Sequence, residues 1–318
     1  MQLEVVERHA IDDDSWNACL LASSLPCIYA STWFLDILCP DWVAIIDFQD
    51  TDYQSIMPIP VQKKGIINYV SQPTFCQFLG IFHRQNEAIS RQERDTINQQ
   101  FLAFFEQKFK NIIQYCFNSE QNFEADFINY THVLKLNQPY ESLKSGFSAD
   151  RKNNLKKAQK YDWKISETDD IDVAIKIFSL NHAQQIGRIS PKTYDLLRLL
   201  FKEAHGRGCA ELYVAQSVMS HEIEAATMFW KFGGRLIHQF CAATPLGRKQ
   251  EARTLLLNHV IERYANTPTL LDFETTNQDH FRYWNASFGG EEVYFPIVKM
   301  RNVSPFVRTL KRLSQWLR

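Results

Sequence analysis

Three side chains in the second half of the sequence are of the kind that move protons: Glu274, His238 and Tyr283. Glu274 closes a strand candidate, Leu270–Glu274. Strand ends in open α/β sheets face clefts, which favours Glu274 as a base for an amine. His238 alternates with Leu236 and Phe240, so its position suits a satisfied core histidine as well as a catalytic one. Tyr283 can return a proton to a leaving group or fill a core.

A second set of residues suits anions. The loop Thr244-Pro245-Leu246-Gly247-Arg248-Lys249-Gln250 precedes a helix candidate. A helix start offers free N–H groups and a positive dipole end, and Arg248 and Lys249 add charge; the same residues also make an ordinary solvated helix start. Between the two halves lie Lys144, Arg151, Lys152, Lys156, Lys157, Lys160 and Lys164, opposed only by Glu141, Asp150 and Asp162. Such a face binds a diphosphate or an RNA backbone, or is simply exposed. Arg151 is the favoured anchor, because a guanidinium grips phosphate with two hydrogen bonds. Lys63 and Lys64 precede a Gly and fit either the same groove or a plain turn. Gln72, Phe75 and Gln77 alternate polar and aromatic groups, as an acceptor pocket or an interdomain contact does. The run His182 to Arg188, with Gln184, closes over a substrate or packs as a helix end.

These residues need elements to position them. Strand candidates are Tyr161–Glu167, Glu211–Ser217, Glu222–Phe232, Arg235–Ala243, Leu270–Glu274 and Glu291–Met300. Helix candidates are Asp169–Gly187, a segment opening at Ser190-Pro191, Lys249–Ala265 and Gln278–Ser287. Gly233-Gly234 permits positive φ and suits a two-residue hairpin. The first half repeats the order less cleanly. Its strands are Leu3–Glu7, Trp42–Phe48, Tyr53–Val61, Ile66–Ser71, Asn111–Phe117 and Phe127–Leu136, and its helices are Asp12–Ala22, Thr32–Leu38 and a Phe-rich segment through Phe101 and Phe105. The order predicts two copies of one α/β fold, each a mixed sheet flanked by helices.

Several segments resemble the Fem-type branch of the Gcn5-related acyltransferase (GNAT) superfamily. They are Pro58-Ile59-Pro60, Lys63-Lys64-Gly65 and Gln72-Pro73-Thr74-Phe75-Cys76-Gln77-Phe78-Leu79-Gly80, then Tyr140-Glu141-Ser142-Leu143-Lys144 and the stretch from Phe147 to Ala158. Near the end, Trp284-Asn285-Ala286-Ser287-Phe288-Gly289 resembles an aromatic-Lys-x-x-Phe-Gly signature, with Asn285 in place of the lysine. The resemblance implies two tandem GNAT-like domains, with boundaries at 1–138 and 139–303, the second opening with the basic helix, and an amphipathic helix over 304–318.

The resemblance also implies transfer of an acyl or aminoacyl group to an amine. The donor is an acyl-CoA or an aminoacyl-tRNA acting as co-substrate, with no permanently bound cofactor and no metal. It places donor binding at Phe240, Ala242, Ala243, Gly247, Arg248, Lys249 and Gln250, while the residue types and positions make Glu274, His238 and Tyr283 the candidates for catalysis. Acceptor binding falls to Lys63, Gln72, Phe75, Gln77, Arg151, His182, Gln184, Arg188 and Asn285. The acceptor expected from the best-known members is a cell-wall precursor. The loss of the signature lysine leans against tRNA. Two rivals stay open: an inactive module of this fold that binds a nucleotide-sugar or peptide, and an RNA-binding protein. The tail after Ser304-Pro305 carries an apolar stripe among Arg308, Lys311, Arg312 and Arg318, fit for packing on its own domain, a second subunit or an anionic membrane surface.

Composition limits the alternatives. A net charge of -1 provides no global field for nucleic acid or membrane, so anions must meet a local patch. The cysteines are 7, scattered and without a Cys-x-x-Cys pair, which points to reduced thiols and a cytoplasmic protein. No stretch has the length of a membrane span.

Overall fold

The computed structural model describes residues 2–49, 52–85, 89–181, 189–275 and 279–309. The described chain divides into two compact units, Met1–Asn129 with Tyr294–Arg318, and Tyr130–Val293.

The first unit begins with strand β1 (Leu3–Glu7), helix α1 (Asp13–Leu21) and helix α2 (Thr32–Leu38). Asp12 caps α1 by accepting from the Ser15 N–H, which satisfies one of the amides a helix start leaves over. Strands β2 (Val43–Gln49) and β3 (Asp52–Ile59) follow, then β4 (Val61–Lys64), β5 (Ile67–Ser71) and β6 (Phe82–His83). The sequence pattern predicts one strand from Tyr53 to Val61. The structure interrupts it at Pro60, which has no N–H to give to a ladder. One sheet has the order β1-β2-β3-β6. In the other, β5 pairs antiparallel with β4 and parallel with β7 (Ile112–Cys116). Helix α3 (Arg91–Lys108) starts at a capping box, Ser90 with Glu93, and buries Phe101 and Phe105. Trp16 of α1 packs edge-on against Trp42 at 5.0 Å. Strand β8 (Phe127–Lys135) leads on into the second unit.

In the second unit, helices α4 (Tyr140–Ser145) and α5 (Ala149–Ala158) come first. The basic segment is thus two short helices with a break at Gly146. Next are β9 (Trp163–Glu167), α6 (Ile171–Asn181), α7 (Pro191–Gly206), β10 (Ala210–Ser217), β11 (Ile223–Phe232) and β12 (Arg235–Ala243). Ser190 caps α7 by accepting from the Thr193 N–H, with Pro191 in the first turn. Gly233 and Gly234 both have positive φ, as the tight β11–β12 hairpin requires. The chain closes with α8 (Pro245–Lys249), α9 (Ala252–Arg263), β13 (Leu270–Asp272), α10 (Asp279–Ala286) and β14 (Glu291–Arg301).

The sheet of this unit has the order β8-β13-β12-β11-β10-β9. Its pairs are antiparallel except β12 with β13. The core between sheet and helices gathers Leu143, Phe147 and Leu155, Phe229 and Leu236, Leu256, Leu257, Val260 and Ile261, and Phe273 and Phe288. Burial of this apolar surface is the main force holding α5, α9 and α10 to the sheet. The second half of β14 belongs with the first unit, because Ile297–Arg301 pair with Ile112–Cys116 of β7. The sequence boundaries had kept that strand in the second domain. Residues 310–318, most of the expected C-terminal helix, lie outside the described residues. Among the described residues no helix is long and apolar enough to cross a membrane.

Candidate active site

The sheet of the second unit opens between β12 and β13. Their parallel pairing covers only Arg235–Ile237 against Leu270–Asp272. Strand β12 runs on to Ala243, but the chain after Asp272 follows β8 instead. The Phe273 N–H donates to the His132 carbonyl at 2.9 Å. Asp272 Oδ1 accepts from the Glu274 N–H at 2.9 Å, a side-chain turn that ends the strand. Glu274 itself sits at φ +47, a left-handed conformation uncommon for a residue with a Cβ. The expected strand Leu270–Glu274 therefore stops at Asp272, and Glu274 marks where the sheet splits.

A bulge enlarges the opening. Met228 lies opposite Phe240 and Phe229 opposite His238, which leaves Gln239 as an extra residue on β12. Gln239 accepts from the Trp230 indole at 2.6 Å.

The resulting cavity has a volume of about 170 Å³. Its β12 wall is His238, Gln239, Phe240 and Cys241; its far wall is Phe273, Glu274 and Thr275. Helix α10 contributes Phe281, Trp284 and Asn285, α6 contributes Phe178, and α9 contributes Arg253. The Phe178 and Phe240 rings meet at 4.9 Å. All of these lie within the second unit.

His238 is buried, with Nε2 at 2.9 Å from the Thr227 hydroxyl. Burial, helped by the Arg253 charge, pushes its pKa down to about 3, so the ring is neutral at physiological pH. Burial also pushes the Cys241 thiol up. Asn285 is buried and donates to the Thr275 hydroxyl at 2.7 Å.

Arg253 is half-buried, its guanidinium 5.4 Å from the centre of the Trp284 ring. It makes no ion pair among the described residues. The Ala252, Arg253 and Thr254 N–H groups, the first of α9, receive no hydrogen-bond partner among the described residues, as helix starts leave them. Arg253 was not singled out in the sequence, and the helix start expected at Lys249 falls at Ala252. The signal was an Arg at the second position of a helix that follows a sheet-splitting strand.

The loop singled out instead is largely closed on itself. The Gly247 N–H donates to Thr244 Oγ1 at 3.1 Å, Arg248 N–H to the Thr244 carbonyl at 2.9 Å and Gln250 N–H to the Leu246 carbonyl at 2.9 Å. A Cβ on Gly247 would stand 2.2 Å from the Glu224 carbonyl oxygen, so close packing on β11 demands this glycine. Arg248 reaches back to the Ala243 carbonyl at 2.9 Å, and Lys249 is exposed. Ala242 and Ala243 are fully buried at the end of β12.

The remaining sequence-derived residues lie elsewhere. Tyr283 is 59% exposed, donates to Asp150 at 2.6 Å, and does not line the cavity. Arg151 is 4% exposed; it donates to Ser287 and Thr254 and stacks 4.5 Å from the Phe288 ring centre. Burial draws its pKa down to about 10. In the first unit Lys63 is an exposed residue of β4. Gln72 accepts from the Cys116 N–H at 3.0 Å and donates to the Cys76 carbonyl at 3.1 Å, which ties a loop to β7. Phe75 has φ +63 in that loop, and Gln77 is partly buried. His182, Gln184 and Arg188 lie outside the described residues.

A mixed sheet split into a V beside a bulged strand, with a helix start at its mouth, is the arrangement of the GNAT acyltransferases. Residues 148–282 match the family model for an acetyltransferase (GNAT) domain. No curated protein sequence matches the chain. Among solved structures, the fold is similar to that of FemX, at a TM-score of 0.64 and 9% identity over 98% of this chain and 99% of that one. It is also similar to a tandem GNAT protein from the clavulanic acid biosynthesis pathway (TM-score 0.53, 15% identity, 94% and 99% covered). A GNAT-family acetyltransferase from Colwellia psychrerythraea gives a TM-score of 0.52 at 10% identity, with 93% and 98% covered. Residues 148–282 thus carry a GNAT acetyltransferase domain, and the chain as a whole has the fold of FemX and of the tandem GNAT protein.

Proposed function

We propose that the second unit transfers a short acyl group from a CoA thioester to a primary amine, with the reaction at the split between β12 and β13. The observation that carries this reading is the end of pairing at Ile237 and Asp272. The exposed edge of β12 beyond that point supplies main-chain donors and acceptors to the pantetheine arm and to the thioester oxygen. The start of α9 and the Arg253 guanidinium suit the CoA diphosphate.

Glu274 on the cavity wall takes the amine proton as nitrogen attacks the thioester carbonyl. The carbon–sulfur bond then breaks, and the CoA thiolate leaves with a proton from solvent. His238, held neutral, shapes the β12 wall beside it. The cavity, at about 170 Å³, has room for an acetyl-sized group. The near-neutral charge of the chain and Asn285 at the signature lysine position favour CoA over aminoacyl-tRNA. The Fem-type resemblance puts an amine of a cell-wall precursor first among acceptors to try.

The test is thiol release from acetyl-CoA in the presence of a panel of primary amines. Turnover should depend on Glu274, so that E274Q retains acetyl-CoA binding and loses turnover. Saturable binding of aminoacyl-tRNA alone would overturn the choice of donor. Acetyl-CoA binding without turnover under any amine would favour the inactive-module reading.

A further inference from the structure

The split between β12 and β13 has a physical cause on the opposite side of β13. Thr131 and His132 of β8 offer side chains that replace the missing β12 partner. The Thr131 hydroxyl donates to Asp272 Oδ1 at 2.6 Å and accepts from the Thr275 N–H at 3.1 Å. The Thr275 hydroxyl oxygen accepts from the His132 N–H at 3.1 Å and from Asn285 Nδ2 at 2.7 Å. With those two donors on the oxygen, the hydroxyl hydrogen is best directed at His132 Nδ1, at 2.9 Å. His132 is therefore neutral, with its proton on Nε2. That nitrogen faces Glu292 Oε1 at 3.7 Å, beyond hydrogen-bond reach, and Glu292 is paired with Arg282. Thr131, His132, Asp272 and Thr275 are all buried, so each unmade bond would be costly.

We propose that Thr131, His132 and Thr275 form a tether that holds the chain after β13 against β8, keeping the acyl-transfer cleft open with Glu274 on its wall. His132 and Thr275 act as positioning residues for the activity proposed above, on which their catalytic consequence rests. A protonated His132 would turn Nδ1 into a third donor toward an oxygen that already accepts from the His132 N–H and Asn285. Burial opposes that proton, as does the Arg282 charge, while Glu292 and Asp272 favour it; the balance lowers the pKa of His132.

The tether is tested first without turnover. In wild-type protein, nitrogen NMR should find His132 Nδ1 unprotonated at neutral pH. Thr275→Val should raise hydrogen exchange of the Phe273–Thr275 amides about tenfold or more while the rest of the sheet stays protected. Thr275→Ser keeps the hydroxyl and should restore wild-type exchange. His132→Asn keeps an acceptor where Nδ1 stands and should do the same, which guards against a variant that fails to fold. Exchange unchanged in Thr275→Val, or a proton on Nδ1, overturns the tether. In turnover of acetyl-CoA with an amine, Thr275→Val should lower kcat about tenfold or more with KM for acetyl-CoA within about twofold, and Thr275→Ser should recover it. Equal kcat in the two variants overturns the positioning role. If wild-type protein turns over no amine, the acyltransfer reading fails while exchange and NMR still judge the tether.

Discussion

Arg253→Ala separates the cation that the structure brings to the cleft from the cations that stand out in the sequence. Arg253 is half-buried, borders the cavity and makes no ion pair among the described residues. A hydrogen bond to a charged group contributes about 1.5–3 kcal/mol, and 1.4 kcal/mol is tenfold in affinity, so its loss should weaken acetyl-CoA binding about 10- to 150-fold. Arg248 and Lys249 are exposed and screened. Exposed ion pairs contribute about 0–1 kcal/mol, so removing either should cost no more than about fivefold. Arg253→Lys keeps the charge but not the planar fork and should fall between wild type and alanine. The assay is calorimetric titration with acetyl-CoA and, in parallel, with acetyl-pantetheine, which has no diphosphate. Arg253→Ala should bind acetyl-pantetheine as wild type does. If it binds acetyl-CoA within about twofold of wild type, or loses both ligands equally, Arg253 does not hold the diphosphate.

Gly247→Ala forces a Cβ to within 2.2 Å of the Glu224 carbonyl oxygen, so it should destabilise the protein by about 1–3 kcal/mol in urea unfolding. An unchanged midpoint would mean the loop yields freely. His238 titrates near 3 when folded and near 6.5 in an unfolded chain, so the unfolded state binds the extra proton between those values. Its contribution is intact above about pH 6.5 and is lost as pH falls toward 3, by about 1.4 kcal/mol per pH unit at most. His238→Gln should flatten that slope between pH 4 and 6.5, and an identical slope would refute a buried neutral ring. Tyr283→Phe removes an exposed hydroxyl bonded, among the described residues, to Asp150 alone, so stability should shift by no more than about 0.5 kcal/mol and kcat by no more than about twofold. A large loss of kcat with unchanged acetyl-CoA binding would place Tyr283 in the chemistry.

Much of the fold is written locally. The hairpin at Gly233-Gly234, the cap at Ser190-Pro191 and the alternation along β11 and β12 are set by neighbours in sequence, and the elements follow within a few residues. Where β13 ends is different. Leu270 to Glu274 has the composition of a longer strand; the Asp272 side-chain turn together with Thr131 and His132, far back in the chain, turns it aside at Asp272. The cysteines read as thiols, and in the structure none of the seven forms a disulfide.

The sequence by itself determined two copies of an α/β fold and the strand beside which chemistry is expected, because backbone propensity, periodicity and turn residues act over short range. Tertiary structure alone decided which cations line the cavity. Arg151, prominent in a basic run, is stacked on Phe288 and bonded to Ser287 and Thr254. Arg253, unremarked in the sequence, faces the cavity. Burial, desolvation and the pairing of side chains distant in the chain set those roles, and none of the three can be read from spacing along a strand or helix.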